Sequence, residues 1–200
     1  MYVYVARSAR RTVLVDTGIG PAHPLIDRWY QPTRGHLGSA LSEQAGITPG
    51  DIDAVVLSHL HFDHVGGAQA FPDVPLFVQR EEWEAARAAD YTVPEFLAFP
   101  GANFVLLDGD SEIAAGLNVV LSGGHTPGHQ VVVVEAGAGV EGARGPILLA
   151  GQLLETATEL EQVLRGGETS DAVRKVLNLE PSVVMFSHDR RSWQHPATTA

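Results

Sequence analysis

The chain contains no cysteine. That excludes a disulfide framework and any thiolate metal ligand, so a metal could be held only by His, Asp, Glu or Gln. Positive charge is also scarce. Thirteen Lys and Arg stand against 24 Asp and Glu, for a net charge of −11. Non-specific nucleic-acid binding and docking on an anionic membrane both need basic patches, so neither partner is expected. A neutral or weakly charged small substrate remains compatible. No apolar run reaches the length of a membrane span. No charged segment followed by an apolar stretch marks a signal peptide at the N-terminus. The expected location is the cytoplasm. What is present is 200 residues, 44% of them hydrophobic, enough for one domain over 1–200 with a real core.

Short apolar runs alternate with helical stretches. Met1–Val5 and Thr12–Val15 are expected to pair as a hairpin around a turn at Arg7–Arg11. Residues 21–37, rich in Pro, Gly and His, are expected to be a surface loop. A helix over Leu37–Ala45 would stop at Gly46. Further strands are expected at 53–58, 75–78, 104–107, 117–121, 130–135, 146–150 and 182–186. Helices are expected at 81–89, 156–164 and 170–177, a loop at 91–102 and a Gly-rich turn at 136–145. Strands outnumber helices and interleave with them, which favours a layered α/β sandwich.

The most informative word is His59-Leu60-His61-Phe62-Asp63-His64. Three imidazoles and a carboxylate within six positions form an N/O ligand set suited to zinc, iron or manganese. The buried run Asp53–Ser58 precedes it, so the ligands would leave a strand end and enter a loop. Two other strand ends carry histidines. His125 lies in Gly123-Gly124-His125-Thr126-Pro127-Gly128-His129, and His188 follows Val183–Phe186. A lone histidine at a strand end is an ordinary structural residue. Beside the first word both become candidate ligands, because a catalytic zinc needs three protein ligands.

His59-x-His61-x-Asp63-His64, then His125, then His188 resembles the metallo-β-lactamase superfamily. Ser58–Gly67, Val78–Glu82, Tyr91–Glu95, Asp108–Asp110 and Gly124–Gln130 look like its N-acyl-homoserine lactonase branch. The resemblance implies an αβ/βα sandwich of two mixed β-sheets flanked by helices, here N-terminally short. It implies that His59, His61 and His125 hold a first metal and that Asp63, His64 and His188 hold a second. The implied cofactor is one or two zinc ions, with iron or manganese as substitutes. The implied reaction opens a lactone or related ester by metal-bound hydroxide. Asp63 would orient the water and pass a proton to the leaving alkoxide. Asp16 and His129 would support ligating imidazoles from behind. Alternative readings are a glyoxalase II-like thioesterase and a catalytically impaired relative that only binds a metal or ligand.

The chain departs from this family at two positions of the site. The aspartate that usually bridges both metals is replaced by Gln152, and a tyrosine three residues later is replaced by Glu155. Two dications at about 3.5 Å repel by roughly 19 kcal/mol at an effective dielectric near 20. A bridging carboxylate offsets part of this, and a neutral amide offers only a carbonyl oxygen. Gln152 is therefore a candidate ligand of a weakened second site, or a sign of a mononuclear one. Phe96, Phe99, Trp29 and Tyr30 are candidates for an acyl pocket.

Overall fold

The computed structural model describes residues 1–8, 10–135 and 145–196. The chain opens with β1 (Tyr4–Arg7) and β2 (Thr12–Val15), followed by α1 (Pro24–Tyr30). Helix α2 (Leu37–Ala40) continues as a π turn over Leu41–Ala45 and stops at Gly46. Then come β3 (Ala54–Val56), α3 (Phe62–Val65), β4 (Leu76–Gln79), α4 (Arg80–Ala85) and β5 (Phe104–Leu107). The second half holds β6 (Ser111–Ala114), β7 (Leu117–Leu121), β8 (Gln130–Val134), β9 (Ile147–Leu149), α5 (Ala157–Leu164), α6 (Asp171–Leu177), β10 (Val183–Met185) and β11 (Trp193–Gln194).

Among the described residues, strands β1 to β5 form one sheet in chain order, antiparallel at β1–β2 and parallel beyond. The other sheet runs β11-β10-β9-β8-β7-β6, with β9 and β10 parallel and the remaining pairs antiparallel. Both sheets are mixed. They stack face to face with helices outside each, giving the αβ/βα sandwich.

The period-2 alternation of side chains explains the layers. Val13, Val15, Ala54 and Val56 face inward and meet Val119, Val132, Ile147 and Leu149 of the second sheet. Leu14, Val55 and Leu57 face outward and pack under Ile26, Leu41, Val65 and Phe96. On the far side Leu148 and Val184 face out against Leu160 of α5 and Val176 of α6. Strands covered on both faces read as unbroken apolar runs. Each such fully buried side chain contributes about 1.5–3 kcal/mol relative to exposure. No helix among the described residues is long and apolar enough to cross a membrane.

Several elements differ from expectation. The 21–37 stretch contains α1, whose Leu25, Trp29 and Tyr30 are exposed, so it lacks the apolar stripe that would announce a helix. Strand β6 is a short edge strand with only Ile113 fully buried, and β11 is two residues long. Helix α4 ends at Ala85, short of Ala89. Residues 136–144 of the expected Gly-rich turn lie outside the described residues.

Candidate metal centre

The candidate ligands gather where strand ends of both sheets meet. Beyond β3, Leu57, Ser58 and His59 continue as buried chain. His61 is the N-cap of α3 and keeps extended backbone, with ψ 150. The first turn of α3 then presents Asp63 and His64. Gly66 closes this helix against the carbonyl of Ile19, which a Cβ there would meet at 2.3 Å. His125 comes from the β7–β8 loop and His188 from the end of β10. The sheets are tied together at this edge. Gln130 donates its backbone N–H to the Ser58 carbonyl (2.9 Å), and Tyr4 Oη donates to the Phe186 carbonyl (2.6 Å).

Two trios result. One is His59, His61 and His125; the other is Asp63, His64 and His188. In the first, His61 Nδ1 lies 3.0 Å from His59 Nε2 and 3.2 Å from His125 Nε2. In the second, His188 Nε2 lies 3.4 Å from both His64 Nε2 and Asp63 Oδ2, and His64 Nε2 lies 3.7 Å from Asp63 Oδ2. Ligands about 2.0–2.1 Å from a tetrahedral ion are separated by about 3.3–3.4 Å. The observed spacings fall around that edge, so both trios fit a zinc-sized ion.

Two of the imidazoles, those of His64 and His59, are held from behind. His64 Nδ1–H donates to Asp16 Oδ2 (2.8 Å), which leaves Nε2 as the ligating atom. Asp16 also accepts the Ser58 N–H (2.7 Å) and hydroxyl (2.9 Å), and that hydroxyl sits 3.1 Å from His59 Nδ1. Burial pushes the His59, His61 and His188 imidazoles down, and brings His125 down to about 4. Neutral imidazole is the form that binds a metal. For His64 burial acts in the same direction, but the Asp16 and Asp63 carboxylates, with the adjoining Gln152 amide, outweigh it and the net shift is upward.

His129 plays a different part from the one expected. It backs none of the candidate ligating imidazoles. Its Nδ1 bonds Ser122 Oγ (2.8 Å), and its Nε2 accepts the backbone N–H of Gln152 (3.1 Å). Two further residues were not singled out from sequence. Ser58 joins Asp16 to His59. Glu82, fully buried, accepts from the Leu60 N–H (2.8 Å), from Thr126 Oγ1 (2.6 Å) and from the Tyr91 hydroxyl. One carboxylate thus ties the loop between His59 and His61 to the loop carrying His125. The paired Glu81-Glu82 at a helix start is an ordinary sequence, and only the long-range contacts reveal its role.

Gln152 follows Gly151 at the end of β9 and adjoins the second trio. Its Nε2 donates to Glu155 Oε1 (3.3 Å), and its Oε1 is buried with no hydrogen-bond partner. A cavity of about 610 Å³ opens alongside, lined by His125, Gln152, Leu153, Glu155 and Glu159 among others. Phe96 and Phe99 belong to the core cluster beneath the first sheet. Tyr30, 64% exposed, stacks on Phe62 at 4.6 Å between ring centres, beside the ligand loop, while Trp29 is 71% exposed.

Comparison with known proteins agrees with this geometry. The sequence model of the metallo-beta-lactamase superfamily matches residues 2–188. An N-acyl homoserine lactonase of a Bacillus species is 29% identical over 208 residues, covering 94% of this chain and 81% of the relative. The lactonase AttM of Azorhizobium caulinodans is 33% identical over 168 residues, covering 74% and 62%. A solved N-acyl homoserine lactone hydrolase, with the product N-hexanoyl-L-homoserine at its catalytic metal centre, superposes with a TM-score of 0.75. It is 26% identical, with 94% of this chain and 80% of that one covered.

Proposed function

The chain belongs to the metallo-β-lactamase superfamily, and from that premise we propose that it is a zinc-dependent hydrolase that opens the ring of N-acyl-homoserine lactones. The carrying observation is the convergence of two ligand trios at one strand edge, with N···N spacings of 3.0 and 3.2 Å in the first. Relatives named as lactonases align with 94% of the chain, which favours a lactone over other carbonyl substrates.

His59, His61 and His125 would hold one ion; Asp63, His64 and His188 would hold the other, with Gln152 beside them. Bound there, zinc supplies Lewis acidity at the substrate carbonyl and makes water acidic enough to attack near neutral pH. The protein supplies position and proton transfer. Asp63 would accept the proton of the attacking water and return it to the ring oxygen as the C–O bond breaks. Asp16 and Ser58 keep the donor nitrogens turned inward, and Glu82 fixes the two loops that carry the first trio. Tyr30 and Phe62 offer an apolar shelf for an acyl chain.

The test is kcat/KM of the zinc-loaded protein on acyl-homoserine lactones of several chain lengths, set beside an S-acyl thioester. Lactone turnover well above thioester turnover is expected. The reverse ranking would replace the lactone reading with a thioesterase.

A further inference from the structure

The environment of Gln152 is more constrained than a simple loss of a carboxylate requires. Its backbone is pinned. Gly151 stands at φ +58, where a Cβ would lie 2.7 Å from His129 Nε2 and 2.9 Å from the Ser58 Cβ. The Gln152 N–H is held by that same His129 nitrogen (3.1 Å). The side chain is oriented as well. Its NH₂ donates to Glu155 Oε1 (3.3 Å), which leaves Gln152 Oε1 buried without a hydrogen-bond partner. Glu155 is itself placed by its backbone N–H, which donates to Glu159 Oε2 (2.8 Å) in the first turn of α5. A buried carbonyl oxygen without a donor costs free energy unless a cation or water meets it.

An amide that donates to a carboxylate is polarised, because the hydrogen bond to an ionised acceptor draws electron density toward the amide oxygen. Such an oxygen is a better ligand than that of an isolated amide, though still uncharged. Glu155 meanwhile brings a negative charge within 3.3 Å of the Gln152 amide nitrogen.

We propose that Gln152 and Glu155 act as a pair in which Glu155, a positioning residue, turns and polarises the Gln152 amide so that Oε1 becomes a ligand of the Asp63–His64–His188 ion. The inference rests on the metal-centre reading above. It adds that the two sites are unequal. The three-imidazole site binds independently of the pair. The second site is weaker and depends on Glu155.

The experiment is a zinc titration of chelator-stripped full-length protein against a chromogenic chelator, with cobalt absorption spectra as a second readout. Native chain, Glu155→Ala, Glu155→Asp, Gln152→Asp and the double variant Gln152→Asp/Glu155→Ala are compared. Glu155→Ala is expected to weaken only the second zinc, by about 10–100-fold, the range usual for a lost partner behind a ligand. Glu155→Asp should recover part of that loss. Gln152→Asp should tighten the second site and make it indifferent to Glu155→Ala. An unchanged second affinity in Glu155→Ala, or an equal loss in the Gln152→Asp background, would overturn the pairing while leaving the metal centre intact. Failure of the native chain to bind even one zinc would overturn both.

Discussion

At the scale of single residues, the ligand spacing is set by contacts behind the histidines. Asp16 is the clearest case, because its Oδ2 receives the His64 Nδ1–H at 2.8 Å. In Asp16→Asn the side chain can present an NH₂ to that nitrogen. The imidazole proton then moves to Nε2, the atom that faces Asp63 and His188, and ligation there is blocked. Zinc affinity at the second site is expected to fall about 10–100-fold, measured by competition titration, with the His59–His61–His125 site retained. The candidate ligands were legible from sequence because four of them fall within six positions, a density that ordinary packing does not require. Ser58 and Glu82 were not. A serine and a glutamate are common surface residues, and their partners lie 42 and 44 positions away, at Asp16 and Thr126. His129 was visible as a residue but not in its role, since nothing in its own neighbourhood announces the Gln152 backbone.

At the scale of elements, the turn after β9 places both Gln152 and the adjoining cavity. Gly151 has no room for a side chain and sits in the left-handed region. Gly151→Ala is expected to cost more than about 2 kcal/mol, from backbone strain together with displacement of His129 or Ser58. Thermal unfolding should show a lowered midpoint, and zinc titration a weakened second site. The strands that carry the site were readable because burial on both faces leaves Val55–Leu57 and Ile147–Ala150 as apolar runs. The elements that escaped sequence reading bury little. Helix α1 buries Ile26 alone among its residues, and β6 fully buries only Ile113. The π turn in α2 still ends at Gly46, as expected, because that residue takes the left-handed cap, φ +64.

At the scale of the molecule, stacking two sheets brings the β3 and β10 ends, more than 120 positions apart in the chain, to one edge. Alternation along each strand foretold the layers, and the interleaving of strands and helices foretold the α/β class. Which strand ends would meet was not contained in those patterns, because register between sheets is settled by packing of Val15, Val56 and Leu149 across the interior. Resemblance to a family supplied that pairing of strand ends, and the geometry agrees with it. The most direct single test follows the rate of N-hexanoyl-homoserine lactone opening as zinc is returned to stripped protein. A rate near zero without zinc, rising with added ion to a plateau by two equivalents per chain, is expected. A rate indifferent to zinc would remove the metal centre as the source of hydrolysis.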